Sequence, residues 1–176
     1  QRMSASLAAA KSFAFRSTGT HEVPSDTGQF LTLEGTADFA VRRPDKLRVK
    51  VGGEMPSFDF FYDGATASAW ASENGVFSTT KAPPTIDALL SGLKEETGLW
   101  FPAAPLLFSN PVQVLERRLT SAAVIGPVMV RGVSCIHLAF RSEGVNWEIW
   151  IESGSSALPR RLATTFTDRT NQPRSV

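Results

Sequence analysis

The sequence predicts an α+β fold: a curved antiparallel sheet, forming an incomplete barrel, with helices gathered into one insert. Three observations lead there. Segments of strand period follow one another with tight-turn signals between them. A stretch of helical period interrupts them once, near the middle of the chain. The helices are therefore segregated rather than alternating with strands, which separates α+β from α/β. A chain of 176 residues falls within the usual size of one domain. It buries roughly 70% of its unfolded surface. The expected organisation is thus one domain over residues 1–176, with the helical insert at about 83–119.

The elements follow in order. Residues 2–12 are Ala-rich without Gly or Pro and suit a short helix. Phe13 to Val23 mixes Phe, Thr and Val with polar residues and reads as a strand, closed by the turn formers Pro24 to Gly28. The clearest period comes next. Leu31, Leu33, Gly35, Ala37, Phe39 and Val41 share one parity, and Thr32, Glu34, Thr36, Asp38 and Arg42 share the other. That is a long half-buried strand. Pro44-Asp45 turns it, and Leu47, Val49 and Val51 alternate with Lys46, Arg48 and Lys50 in a second strand of the same kind. Phe58–Tyr62, Ala65–Ala71 and Val76–Lys81 continue the meander through hairpin signals at Asp63-Gly64 and Asn74-Gly75.

At Pro83-Pro84 the period changes. Ile86, Leu89, Leu90 and Leu93 stand at i, i+3, i+4 and i+7, an amphipathic helix ended by Gly98. Asn110-Pro111 is an N-cap followed by proline at the first helical position, and Val112, Leu115 and Leu119 form the stripe of that helix. Strands resume over 122–130, 133–141, 145–152 and 158–167. The tail from Asp168 to Val176 reads as a hairpin loop, with a further strand expected beyond it. The start at Gln1 rather than Met suggests a fragment or a processed product.

Composition excludes several functions. Eighteen basic against seventeen acidic residues leave a net charge of +1, without the basic excess of a nucleic-acid binder. One cysteine excludes an internal disulfide and any multi-cysteine metal site. No Gly-x-Ser-x-Gly elbow or phosphate-binding glycine loop is present. His21 reads as an exposed strand residue. Cys135 and His137 share a strand face and could begin a metal site or an activated thiol. Zinc needs three or four protein ligands and spacing marks no third, so they read as packed side chains. Glu95-Glu96 and the pair Glu148 and Glu152 read as solvated faces. No catalytic residue, metal or cofactor is expected, and the chain is not expected to be an enzyme.

What stands out is twelve Phe and four Trp against one Tyr. Some strands are apolar on both faces, and the helical insert adds more apolar bulk. Such a sheet with an apolar plug either packs solid or leaves a cavity for an apolar ligand. The lining would come from Leu31, Leu33, Phe39, Val41, Leu47, Val49 and Phe61 on the sheet, and from Ile86, Leu89, Leu90, Leu93, Trp100 and Phe108 on the insert. Arg43 shares the parity of Phe39 and Val41. It either reaches the rim and is solvated or points inward, where an unpaired charge is costly. Carbonyls at the C-terminal ends of the insert's helices are then its natural acceptors, and the bond would latch the plug.

Several motifs carry a resemblance. They are Lys11-Ser12-Phe13, Val41 to Leu47 (VRRPDKL), Phe61-Tyr62-Asp63-Gly64, Pro84 to Leu90 (PTIDALL), Cys135 to Phe140 (CIHLAF), Trp147 to Glu152 (WEIWIE) and Leu158-Pro159-Arg160-Arg161. Through them the chain resembles a family of predicted periplasmic bacterial proteins defined by a domain of unknown function. That family is in turn similar to the lipoprotein-carrier superfamily of LolA-, LolB- and RseB-like proteins. The resemblance implies a LolA-like incomplete antiparallel barrel with a helical lid, a periplasmic location, and non-catalytic binding of a lipid or lipidated protein. It also implies that Arg43, the Arg of the Arg-Pro motif, helps open and close the lid. A second function fits the same fold: an envelope sensor or interaction protein that binds a protein partner and holds no cavity ligand.

Overall fold

The computed structural model describes residues 1–97, 103–168 and 173–176. Eleven strands pair in one antiparallel sheet, in the order β6-β5-β4-β3-β2-β1-β11-β10-β9-β8-β7. The sheet is not closed; β6 and β7 are its two end strands. In chain order the elements are α1 (Arg2–Ala9), β1 (Ser12–Pro24), β2 (Phe30–Arg42), β3 (Lys46–Gly53), β4 (Phe58–Tyr62), β5 (Thr66–Ala71) and β6 (Val76–Lys81). Then come α2 (Ile86–Thr97), α3 (Ala104–Leu107), α4 (Pro111–Leu115), β7 (Leu119–Val130), β8 (Val133–Ser142), β9 (Val145–Glu152), β10 (Pro159–Phe166) and β11 (Arg174–Ser175).

The chain divides into two compact units. One comprises residues 10–20 and 32–109, hence most of β1 and β2, all of β3 to β6, α2 and α3. Register there follows apolar pairing. Phe39 faces Val49 and Val41 faces Leu47 across β2 and β3, and Leu47 faces Tyr62 across β3 and β4. All five are buried. A slip of one residue would turn this whole set to solvent. Phe15 stacks on Phe39 at 4.6 Å between centroids, which extends the buried face onto β1. On α2, Ile86, Leu89 and Leu90 are buried, with Ile86 only 1% exposed. Leu107 on α3 is fully buried. Two glycines are required by the backbone. Gly53 has φ +112°, and a Cβ there would stand 2.6 Å from the Glu34 carbonyl oxygen. Gly64, at φ +87°, lets the β4–β5 turn approach the side chain of Asp45.

The other unit comprises residues 1–9, 21–31 and 110–176. Its strands β7 to β10 form a meander. Arg131 and Gly132 both take positive φ in the β7–β8 hairpin, as a type I′ turn demands. The two-residue β11 pairs with β10 and with β1, where Ser175 faces His21. The helices α1 and α4 pack together, and the Ser4 hydroxyl accepts from the Val112 N–H at 2.9 Å.

Local expectations differ from the structure at three places. The first helix ends at Ala9 rather than Ser12. Leu119 opens β7 instead of completing the α4 stripe, because the chain leaves the helix through Arg118 at φ 59°. The tail expected to be loop carries β11.

Candidate functional site

Arg43 follows β2 and precedes Pro44. Its Nη1 donates to the Leu107 carbonyl at 2.7 Å and its Nη2 to the Phe108 carbonyl at 2.8 Å. These are the last helical residue of α3 and its C-cap. A four-residue helix leaves its final carbonyls without intrahelical partners, and the planar guanidinium fork meets two of them at once. The backbone binds the neighbouring element: the Ile86 N–H, at the start of α2, donates to the Pro44 carbonyl at 2.8 Å. One dipeptide therefore holds the beginning of α2 and the end of α3.

Asp87 closes the arrangement from the other side. Its carboxylate accepts from the Ser109 N–H at 2.9 Å and from the Ser109 hydroxyl. Its negative charge supports the charge on Arg43, but burial outweighs it and pushes the Arg43 pKa down. The guanidinium stands 5.4 Å from the Phe13 ring centroid, and Arg43 Nε is buried with no hydrogen-bond partner. Farther along, the Tyr62 hydroxyl donates to the Pro83 carbonyl. The Thr85 hydroxyl caps α2 by accepting from the Ala88 N–H at 3.2 Å.

The apolar residues expected around a cavity fall into four groups. Phe39, Val41, Leu47, Val49, Ile86, Leu89, Leu90 and Phe108 are buried in the unit that contains Arg43. Leu33 and Leu93 are half-buried. Leu31 belongs to the other unit and is 42% exposed. Trp100 lies outside the described residues. Phe61 is a correction: it is 43% exposed on the opposite face of β4. The register pairs it with Arg48 and gives the buried position to Tyr62, so the Phe60-Phe61-Tyr62 run presents its middle ring outward.

In the other unit Cys135 is fully buried, packed with Trp150 and Ala163. His137, on the same strand, has partners of its own. Its ring stacks on Trp150 at 4.1 Å, and its Nε2 lies 2.9 Å from Glu148 Oε2. The other oxygen of Glu148 accepts from Arg174 at 3.0 Å. Arg161 covers Trp150 at 4.9 Å from its centroid. Glu148 is thus ion-paired rather than merely solvated. His21 is half-buried rather than exposed; its Nδ1 lies 3.0 Å from Ser175 Oγ, and burial pushes its pKa down. Among the described residues, no three His, Cys, Asp or Glu side chains are placed to hold a metal ion.

Sequence reasoning misses Asp87, Ser109 and Arg174. Each meets its partner across a long sequence separation, and only Asp87, in the first turn of a helix, carries a local signal.

The likeness to known proteins agrees with this architecture. The lipoprotein LppX of Mycobacterium tuberculosis superposes with a TM-score of 0.59 at 14% identity, covering 99% of this chain and 87% of LppX. A conserved protein from Thermus thermophilus gives 0.48 at 12% identity, over 99% and 78% of the two chains. LprF from Mycobacterium bovis gives 0.46 at 11%, over 99% and 86%. The LppX match shows the fold. No curated protein matches the chain. The model of the family described as predicted periplasmic protein (DUF2092) matches residues 1–176, so this chain belongs to the DUF2092 family.

Proposed function

We propose that this protein is a non-catalytic periplasmic binding protein that holds a lipid or a lipoprotein acyl group against the apolar face beneath α2 and α3. The observation that carries this reading is the Arg43 fork on the last carbonyls of α3. A cation held by neutral acceptors can exchange them for water when the helix moves away, so the contact suits a latch. The side chains beneath it supply the greasy surface an acyl chain needs, each buried side chain of this size contributing about 1.5–3 kcal/mol against exposure. The face is covered in this structure, so a ligand would enter by displacing α2 and α3, with Phe39, Val41, Leu47 and Val49 receiving it.

Native mass spectrometry of the purified protein, followed by organic extraction, tests this. A co-purifying mass of lipid size is expected. A clean protein mass that stays unchanged after incubation with long-chain phospholipid would remove the reading.

A second reading has its own support. The end strand β7 exposes Val124 at 73%, with Ile125, Val128 and Met129 also exposed, a surface suited to a protein partner. Under that reading no lipid is retained, and cross-links to a partner form at β7.

A further inference from the structure

We infer that the bare face of strands β2 to β6 docks onto a membrane surface rich in anionic phospholipid. This does not rest on the acyl-binding reading; it concerns the opposite face of the same strands.

Three neighbouring cross-strand rows make the patch. The first runs Asp38, Lys50, Asp59, Trp70, Phe77. The second runs Ala40, Arg48, Phe61, Ser68, Thr79, and in the third Arg42 faces Lys46 while Thr66 faces Lys81. Apart from Lys81 on β6, the cations gather on β2 and β3, and the aromatic rings on β4 to β6. Trp70 is 46% exposed and Phe77 65%. Two open grooves of about 510 Å³ and 420 Å³ meet here, sharing Ala40 and Arg48.

Charge complementarity names the occupant. Asp38 is taken by Arg16, which meets both its oxygens at 2.5 and 2.7 Å. In the flanking turns, Asp63 is held by the Ala65 and Thr66 amides, and Asp45 lies 3.4 Å from Lys46. The remaining carboxylates are Asp59, beside Lys50 and Trp70 in its row, Glu34 farther along β2 with Glu54 next to it, and Glu73 in the β5–β6 turn. Arg42, Arg48 and Lys50 have no carboxylate within ion-pair distance among the described residues, and Arg48 lies over the Phe61 ring at 5.3 Å. Cations that make no ion pair, beside exposed aromatic rings, match a headgroup layer. Phosphates there meet the cations, and the rings settle at the polar–apolar boundary. Exposed aromatic patches on soluble domains mark contact surfaces of this kind. The family is periplasmic, and that compartment is bounded by membranes.

Co-sedimentation with vesicles decides it. The probes are equimolar phosphatidylglycerol–phosphatidylcholine vesicles and phosphatidylcholine vesicles alone. The wild-type chain should bind the anionic vesicles, lose binding as salt rises, and leave the neutral ones in solution. Each basic residue at such a surface contributes about fivefold. Arg48→Gln with Lys50→Gln should therefore weaken binding about 25-fold. Arg117→Gln with Arg118→Gln, two exposed cations of the other unit, should leave it unchanged. Trp70→Ser with Phe77→Ser should weaken binding and abolish the blue shift of tryptophan emission on vesicles. Equal binding to neutral vesicles, an equal loss in the Arg117/Arg118 pair, or no binding to anionic vesicles would each overturn the assignment. So would binding of polyglutamate in place of anionic vesicles, which would give the face to an acidic protein. The lipid and salt arms use the unaltered chain, so they decide even where a variant misfolds.

Discussion

Arg43 and Glu148 are both charges set on strand-borne surfaces, one in each compact unit, and they are satisfied in opposite ways. Arg43 binds two neutral carbonyls and leaves Nε without a partner. Glu148 lies between His137 and Arg174, each of its oxygens taken by one of them. Beneath that chain of contacts, Trp150 is buried between His137 and Arg161. The difference teaches which polar contact can move. Carbonyls released by Arg43 can turn to water, whereas the Glu148 group is anchored by a packed indole that has no aqueous substitute. Charge–carbonyl bonds are worth about 1.5–3 kcal/mol, and partly exposed ion pairs about 0–1. The strength of the second group therefore lies in its ring stack.

The largest test breaks the anchored side. Trp150→Ala should cost about 3–5 kcal/mol, read as a lower urea midpoint, with Glu148→Gln costing under about 1 kcal/mol. Equal effects of the two would mean that charge, not packing, holds the group. The next test addresses the movable side. Arg43→Leu should leave the global midpoint within about 3 kcal/mol of wild type. It should speed hydrogen exchange at the Leu106 and Ser109 amides about ten- to a hundredfold, the range that corresponds to about 1.4–2.7 kcal/mol of local opening. Unchanged exchange at those amides would end the latch. Arg43→Lys offers a single point charge for a two-pronged contact and should fall between.

The smallest effect concerns His21. Burial places its folded pKa below the unfolded value of about 6.5. Between those values the unfolded chain binds more protons, so stability rises with pH. The stability is fully present above about 6.5 and is lost as pH falls through the folded value. Thermal midpoints at about pH 7.5 and 5 should therefore lie closer together for His21→Asn than for wild type. An identical drop in both would assign the pH dependence to other groups.

The strands are legible because β2 and β3 alternate cleanly, with Asp38, Ala40 and Arg42 alternating with Phe39 and Val41. The parity that places Arg43 comes from the same alternation. Phe61 misleads because the run Phe60-Phe61-Tyr62 is aromatic throughout; the polar markers of its face are Asp59, two residues earlier, and its cross-strand neighbour Arg48. Arg174 is out of reach for a different reason. It belongs to a two-residue strand too short to show a period, and its partner stands twenty-six positions away. Leu119 has the right spacing for the α4 stripe, but the left-handed backbone at Arg118 is invisible to hydrophobic spacing.

The end strand β7 also bears on how the protein behaves in quantity. From Leu119 to Val130 it carries no charged side chain, and its outer edge offers unpaired amides to any extended chain. Its guards are Pro127, which has no N–H to give, and the register irregularities near Thr120 and Ile125. A lysine or glutamate is the commoner deterrent at such an edge. Solubility during folding, before this strand settles against β8, therefore depends on backbone irregularity rather than on electrostatic repulsion. Added salt, which screens charge, leaves that protection intact.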